Sequence, residues 1–194
     1  LNLLFPINEI ENINQAKKNI VNIINIDFDF IKTFDKISNK SNKYIENSFK
    51  KSLEIIKKNK SKVVFINGPV SKKSFLKKKF PGITEYLSKK TNSENEVMLI
   101  YNNKFSVSPI TTHLPLKKVA KEIKKDKICK NIINLNNFYC KVLKKTPRFA
   151  LLGLNPHCET IDNFSEEENI IIPSIKSLKK RGINVSGPFS ADTF

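Results

Sequence analysis

The sequence predicts an α/β protein with a largely parallel sheet, and three observations carry that expectation. Short apolar runs, Val63–Ile66 and Phe149–Leu152 among them, stop at turn residues (Asn67-Gly68-Pro69, Gly153-Leu154-Asn155-Pro156), as buried strands do. Between such runs lie stretches whose apolar residues recur at helical spacing. The two kinds of segment alternate, which is the pattern of helical crossovers joining parallel strands.

Taken in order, residues 1–42 carry a weak signal, apolar residues scattered among Asn and Lys, with at most one short helix near 14–24. Ile45, Phe49, Leu53 and Ile56 predict a helix over 43–58 with lysines opposite. Val63–Ile66 reads as a buried strand. Val97–Tyr101 and Phe105–Ile110 read as strands joined by a hairpin turn at Asn102-Asn103-Lys104. Leu116, Val119, Ala120 and Ile123 mark one helix, and Ile128, Ile132, Leu135, Tyr139 and Val142 a second. After the strand Phe149–Leu152, Ser165-x-x-Glu168 is a capping-box match before another helix. Pro173 is expected to kink or split that helix, and Gly182 to close it. Ile183–Val185 is the last expected strand, ahead of Gly187-Pro188.

The chain has 194 residues, 39% hydrophobic and 27% charged, the values of a globular protein rather than a disordered one. The net charge of +17 raises a nucleic-acid partner as a non-enzymatic alternative. The lysines, however, are spread over the whole chain instead of forming one stripe with interleaved aromatics, so no nucleic acid is expected. No apolar run is long enough for a bilayer and no secretory pattern opens the chain, so a cytoplasmic protein without a membrane partner is expected. Cys129, Cys140 and Cys158 include no C-x-x-C pair, against both a disulfide framework and a zinc knuckle. The first residue is Leu and the only Met is Met98, so the chain reads as an internal fragment over 1–194, with 1–42 weakly defined.

Parallel sheets bind ligands at the carboxyl ends of their strands. The loops 67–73, 111–115, 153–158 and 187–193 are therefore the candidate site. Both histidines of the chain, His113 and His157, fall in them. Imidazoles from separate strand ends are common ligands of a catalytic divalent metal. Their separation is no local metal motif, so ligand and structural roles both remain open on the residues alone. The dinucleotide fingerprint, the P-loop and the G-x-S-x-G elbow are all absent, which weighs against an acyl-transfer hydrolase. Gly68-Pro69-Val70-Ser71-Lys72-Lys73 could hold an anion, or could be an ordinary turn with solvated lysines.

These loops resemble, in order, the motifs of the 4-hydroxythreonine-4-phosphate dehydrogenase (PdxA) family. Ile66–Lys72 resembles its Thr-Gly-Pro-Val-His-Lys segment, and Pro81–Tyr86 its Gly-His-Thr-Glu-Phe segment. Thr111–Leu116 and Gly153–His157 are similar almost letter for letter. Glu166–Pro173 resembles a Glu-Glu-x-x-x-Ile-Ile-Pro segment, and Gly187–Phe194 the Gly-Pro-x-x-Ala-Asp-Thr loop. The resemblance covers about residues 43–194. It implies the two-lobed α/β/α fold of isocitrate and isopropylmalate dehydrogenases, which binds NAD without the glycine fingerprint. It implies oxidation of 4-phosphohydroxy-L-threonine by hydride transfer to NAD (or NADP), then decarboxylation to 3-amino-2-oxopropyl phosphate, in pyridoxal 5'-phosphate synthesis. It implies a divalent metal (zinc, magnesium or cobalt) on His113 and His157, in a site shared across a homodimer. It also implies substrate contacts at Thr84, Ser71, Lys72 and the position of Ile83. Asp192, in the last loop, is a candidate catalytic residue for proton transfer or for supporting a ligand; a turn or capping role is the alternative. Cofactor-binding residues are not assigned.

Two departures stand out. The family's substrate-binding histidine is Ile83 here, and the histidine of its phosphate loop is Ser71. They leave room for a related dehydrogenase acting on a four-carbon sugar-acid phosphate such as 4-phosphothreonate, or for an inactive homologue. The resemblance also implies regions outside this chain, including a third metal histidine, so the chain alone is expected to be inactive.

Overall fold

Ile45, Phe49, Leu53 and Ile56 lie on one helix, α1 (Asn42–Asn59), and Phe49 is the residue that it buries. The structure, a computed structural model, describes residues 6–33, 35–59, 63–77, 79–93 and 96–193. Phe194, the last residue of the Gly187 loop motif, lies outside them. The chain divides into two units, Leu1–Asn92 and Ser93–Phe194.

In the first unit, β1 (Ile7–Glu9) and β2 (Val21–Ile23) pair in parallel, with Ile7 opposite Val21. This replaces the helix expected near 14–24. Only a single 3-10 turn forms there, Ile13–Gln15, because Asn12 and Gln15 close a reciprocal capping box around it. Asn19, at φ 60, lies in the turn that precedes β2. The aromatic cluster around α1 is the core of this unit. Phe49 stands 5.4 Å from Tyr86 and 5.7 Å from Phe65 between ring centroids, and Leu76 is buried beside them. Tyr86 is supplied by α2 (Ile83–Thr91), whose first residue follows Gly82 in extended conformation. Val63–Ile66 is extended but joins no ladder among the described residues. Phe65 turns toward Phe49, while Val64 and Ile66 are each 87% exposed. An apolar run is a buried strand only where neighbours cover both its faces, and here one face alone is covered.

In the second unit, the expected hairpin is reduced to one antiparallel bridge, Ile100 with Val107. Its turn is held by Asn102, whose side chain accepts from the Lys104 N–H at 2.9 Å. A 3-10 turn (Leu116–Lys118) runs into the short α3 (Val119–Glu122). α4 (Lys125–Phe138) buries Ile128, Ile132 and Leu135 and widens into a π turn over Tyr139–Leu143. The helix expected around Pro173 is split as anticipated: a π turn, Glu167–Ile171, gives way to α5 (Ile172–Lys180). Proline has no N–H to continue the ladder, so the hydrogen-bond register changes just before it. Gly182, at φ +75, closes α5.

β3 (Phe149–Leu152) and β4 (Val185–Phe189) pair in parallel. β4 begins at the last residue of the expected strand and continues through Gly187-Pro188. It can do so because the register slips: Phe149 faces Val185 and Ala150 faces Ser186, but Leu152 faces Phe189. The slip is a bulge that takes Pro188, which has no N–H to donate, out of the ladder. At Gly187, φ +125, an added Cβ would collide with the Leu151 carbonyl oxygen, so glycine is required. Leu178 of α5, fully buried, centres a core with Ile128, Ile132, Ile171, Ile175 and Val185. Among the described residues no helix is long and apolar enough to cross a membrane.

Candidate functional site

Because β3 and β4 run in the same direction, their carboxyl ends open onto one edge. The segments that follow them, Gly153–Cys158 and Ser190–Asp192, are therefore brought together from distant sequence positions. His157 Nδ1 stands 3.1 Å from Asp192 Oδ2. The Ser190 hydroxyl donates to the other oxygen, Oδ1. That bond is the main cause holding the Asp192 carboxyl below its ordinary value, with smaller help from its own backbone N–H and from His157. The two side chains are 71% and 48% exposed, so the pair contributes little to stability. Its effect is positional. A carboxylate at Nδ1 selects the tautomer that carries the proton there and leaves Nε2 as the nitrogen with a lone pair.

The backbone around His157 is unusual. His157 (φ 55) and Cys158 (φ 60) are consecutive non-glycine residues in the left-handed region, at the end of the 3-10 turn Pro156–Cys158. What holds the loop is Glu167. Its side chain, 1% exposed, accepts the N–H groups of Leu154 (2.7 Å) and Asn155 (2.8 Å) on Oε1. On Oε2 it accepts Asn155 Nδ2 (2.9 Å) and the Ser165 hydroxyl (3.1 Å). Burial works against the charge, but the bonds from the backbone and side chain of Asn155, from its own N–H and from Leu154 outweigh it and bring the carboxyl down to about 2. Sequence reasoning missed this residue. Its only signal was the run of three glutamates after Ser165, where the capping box drew attention to Glu168. Ser165 Oγ does accept the Glu168 N–H at 3.3 Å, while the Glu168 side chain points to solvent.

His113 lies in the same unit, exposed and at φ 54, ahead of the Leu116–Lys118 turn. Since Phe105–Ile110 forms only a bridge, His113 does not sit at the end of a formed strand. No hydrogen bond or ion pair among the described residues joins it to His157 or Asp192. The donor types suit a divalent cation: two imidazoles, with a carboxylate already supporting one of them. No three His, Cys, Asp or Glu side chains come together as a ligand set among the described residues, so a complete metal site needs donors beyond these.

The remaining candidates belong to the first unit. Ser71 caps the Lys72–Leu76 turn, accepting the Ser74 N–H at 3.3 Å, and its own proton remains available to an anion. Lys72 and Thr84 are exposed. Ile83, next to Thr84 in the first turn of α2, packs against the Phe49–Leu76–Tyr86 cluster. Ile83→His is therefore expected to lower stability by about 1–2 kcal/mol through lost apolar burial. Thermal melts of the wild type and the variant check it.

Comparison with known proteins gives this arrangement its context. The family model described as pyridoxal phosphate biosynthetic protein PdxA matches residues 2–194, so the likeness extends through the N-terminal region that carries little signal by itself. A 4-hydroxythreonine-4-phosphate dehydrogenase from Sulfurihydrogenibium sp. is 35% identical over 194 residues, covering 96% of this chain and 59% of the relative. A D-threonate 4-phosphate dehydrogenase from Pectobacterium atrosepticum is 36% identical over 116 residues, 59% of this chain and 35% of the relative. A solved structure from Salmonella typhimurium, titled a putative 4-hydroxythreonine-4-phosphate dehydrogenase, superposes with a TM-score of 0.83 at 24% identity. It covers 97% of this chain and 60% of the solved one, and establishes the shared α/β fold. The chain thus spans about 60% of the length of relatives that it matches nearly end to end. With a family model matched over residues 2–194, the chain belongs to the PdxA family of pyridoxal phosphate biosynthetic proteins.

Proposed function

We propose that the protein carrying this chain is an NAD- or NADP-dependent dehydrogenase that oxidises the 3-hydroxyl of 4-phosphohydroxy-L-threonine in pyridoxal phosphate synthesis. The observation that supports it best is the His157–Asp192 pair at the carboxyl edge of β3 and β4, in a PdxA-family chain. In this reading the C3–H hydride passes to the nicotinamide and the hydroxyl proton to a base. The resulting β-keto acid loses its carboxylate as carbon dioxide and takes up a proton, giving 3-amino-2-oxopropyl phosphate. When bound, a divalent cation (zinc, magnesium or cobalt) supplies Lewis-acid polarisation of the alcohol and later of the carbonyl. His157 and His113 would hold it, each through a ring nitrogen. Asp192, 3.1 Å from His157 Nδ1, would favour a proton on that nitrogen and so leave Nε2 to ligate. Ser71, Lys72, Thr84 and the position of Ile83 are the substrate contacts that the family likeness implies, the Ser71 hydroxyl being able to donate to a phosphate. A homodimer that shares the metal site would bring donors that the described residues of one chain do not group. The setting of the reaction is cytoplasmic.

A second reading has its own support: Ile83 and Ser71 replace two family histidines, and a relative is named D-threonate 4-phosphate dehydrogenase. The experiment is a comparison of the protein as its gene encodes it on 4-phosphohydroxythreonine and on 4-phosphothreonate, with zinc, magnesium or cobalt and either dinucleotide. Metal-dependent NADH formation preferring the amino acid is expected. Preference for the sugar acid would favour the second reading, and turnover of neither would leave an inactive homologue.

A further inference from the structure

A buried carboxylate is costly unless its oxygens are satisfied. Glu167 is satisfied by donors drawn from one loop and the turn beside it. Leu154 and Asn155 give it two consecutive backbone N–H groups, and Asn155 adds its side chain. Asn155 Nδ2 also reaches Glu166 Oε2 at 2.9 Å, so two neighbouring carboxylates grip the same residue. Asn155 stands two positions before His157, and immediately beyond it the chain enters the left-handed conformations of His157 and Cys158. Residues in such sparsely populated regions persist where the surroundings over-determine them. The imidazole itself is exposed and stands 3.1 Å from the Asp192 carboxylate. Gly153 fits the same anchor: a Cβ there would meet Cys158 Sγ at 2.6 Å and Glu167 Oε1 at 3.1 Å, so a side chain would push the loop off the carboxylate.

We propose that Glu167 is a positioning residue for the reaction: it locks the Gly153–Cys158 loop and thereby fixes where His157 stands. Its effect on metal binding rests on the reading of His157 as a ligand, whereas its hold on the loop does not. Replacing the acid by Gln keeps the shape but sets an NH2 group against the amide donors, so part of the grip is lost without opening a cavity.

The test compares Glu167→Gln, Glu168→Gln and His157→Ala in the protein as its gene encodes it. Three quantities are followed: zinc affinity by chelator competition, the His157 ring signals by NMR in metal-free protein, and amide exchange at Leu154 and Asn155. Glu167→Gln is expected to weaken zinc binding by up to about 10-fold, less than the roughly 10- to 100-fold loss when a group bonded directly to a ligand is removed, because Glu167 acts on His157 only through the loop. It should also shift or split the ring signals and speed exchange at both amides. Glu168→Gln, which removes the same charge from an exposed side chain, is expected to change none of the three. A folded Glu167→Gln protein with wild-type ring signals and exchange would overturn the proposal. Zinc binding retained by His157→Ala would instead sink the ligand reading, and the metal-free ring signals would still decide the role of Glu167. Should Glu167→Gln not fold, Asn155→Ala removes only the Nδ2 bonds. Smaller changes in the same direction are expected from it, and none at all would overturn the proposal.

Discussion

His157→Ala and His113→Ala are each expected to abolish turnover while leaving the protein folded. Both imidazoles are exposed, so truncation opens no cavity, and the stability change should stay within about 0.5 kcal/mol. On the proposed ligand set, the loss in metal affinity should exceed the roughly 10- to 100-fold cost of disturbing an outer-shell partner. His157→Ala carries a second consequence, since Asp192 loses the imidazole that stands 3.1 Å from its Oδ2. Far-ultraviolet circular dichroism and NADH absorbance, on metal-stripped protein reconstituted with a known cation, measure the two halves. Either variant retaining near-wild-type turnover would remove that histidine from the ligand set.

Acidification is expected to remove about 3 kcal/mol of stability through Glu167 alone. Its carboxyl titrates at about 2 in the fold, against an ordinary value of 4.5, and each unit of difference corresponds to about 1.4 kcal/mol. A depressed folded-state value makes the contribution complete above pH 4.5. Below that the unfolded chain takes up the proton first, so stability falls until the folded carboxyl also protonates near pH 2. Urea unfolding of wild type and Glu167→Gln across this range gives the check. The gap between them should narrow as the pH drops from 4.5 to 2, and a gap independent of pH would mean that the charge contributes nothing.

What could be read from the sequence depended on how local its cause was. α1 and α4 were legible because amphipathic spacing is a property of the segment itself. Pro173 was legible because it has no N–H to continue a helical ladder, and Gly182 because glycine readily takes the left-handed conformation that ends a helix. Val63–Ile66 misled because an apolar run does not say whether a neighbour will cover it, and only Phe65 found one. The 14–24 helix failed on a local competitor, the Asn12–Gln15 capping box, which closes a single turn. In the site, two exposed loop residues could be nominated from chemistry and family likeness. The meeting of His157 with Asp192, however, comes from parallel pairing of β3 and β4, which no short window contains. Glu167 was the hardest to see. A buried acid looks like a solvated one until the amides that neutralise it, in a loop earlier in the chain, are placed around it.

That neutralisation uses dipoles alone. Among the described residues no Lys, Arg or His forms an ion pair with Glu167, although the chain carries 35 Lys and Arg. Mobile ions screen exposed charge pairs such as Lys90–Glu46, at 3.1 Å, and do little to short bonds between a buried carboxylate and amides. The loop that carries His157 is thus fastened in a way that ionic strength hardly touches, on a protein whose net charge is +17.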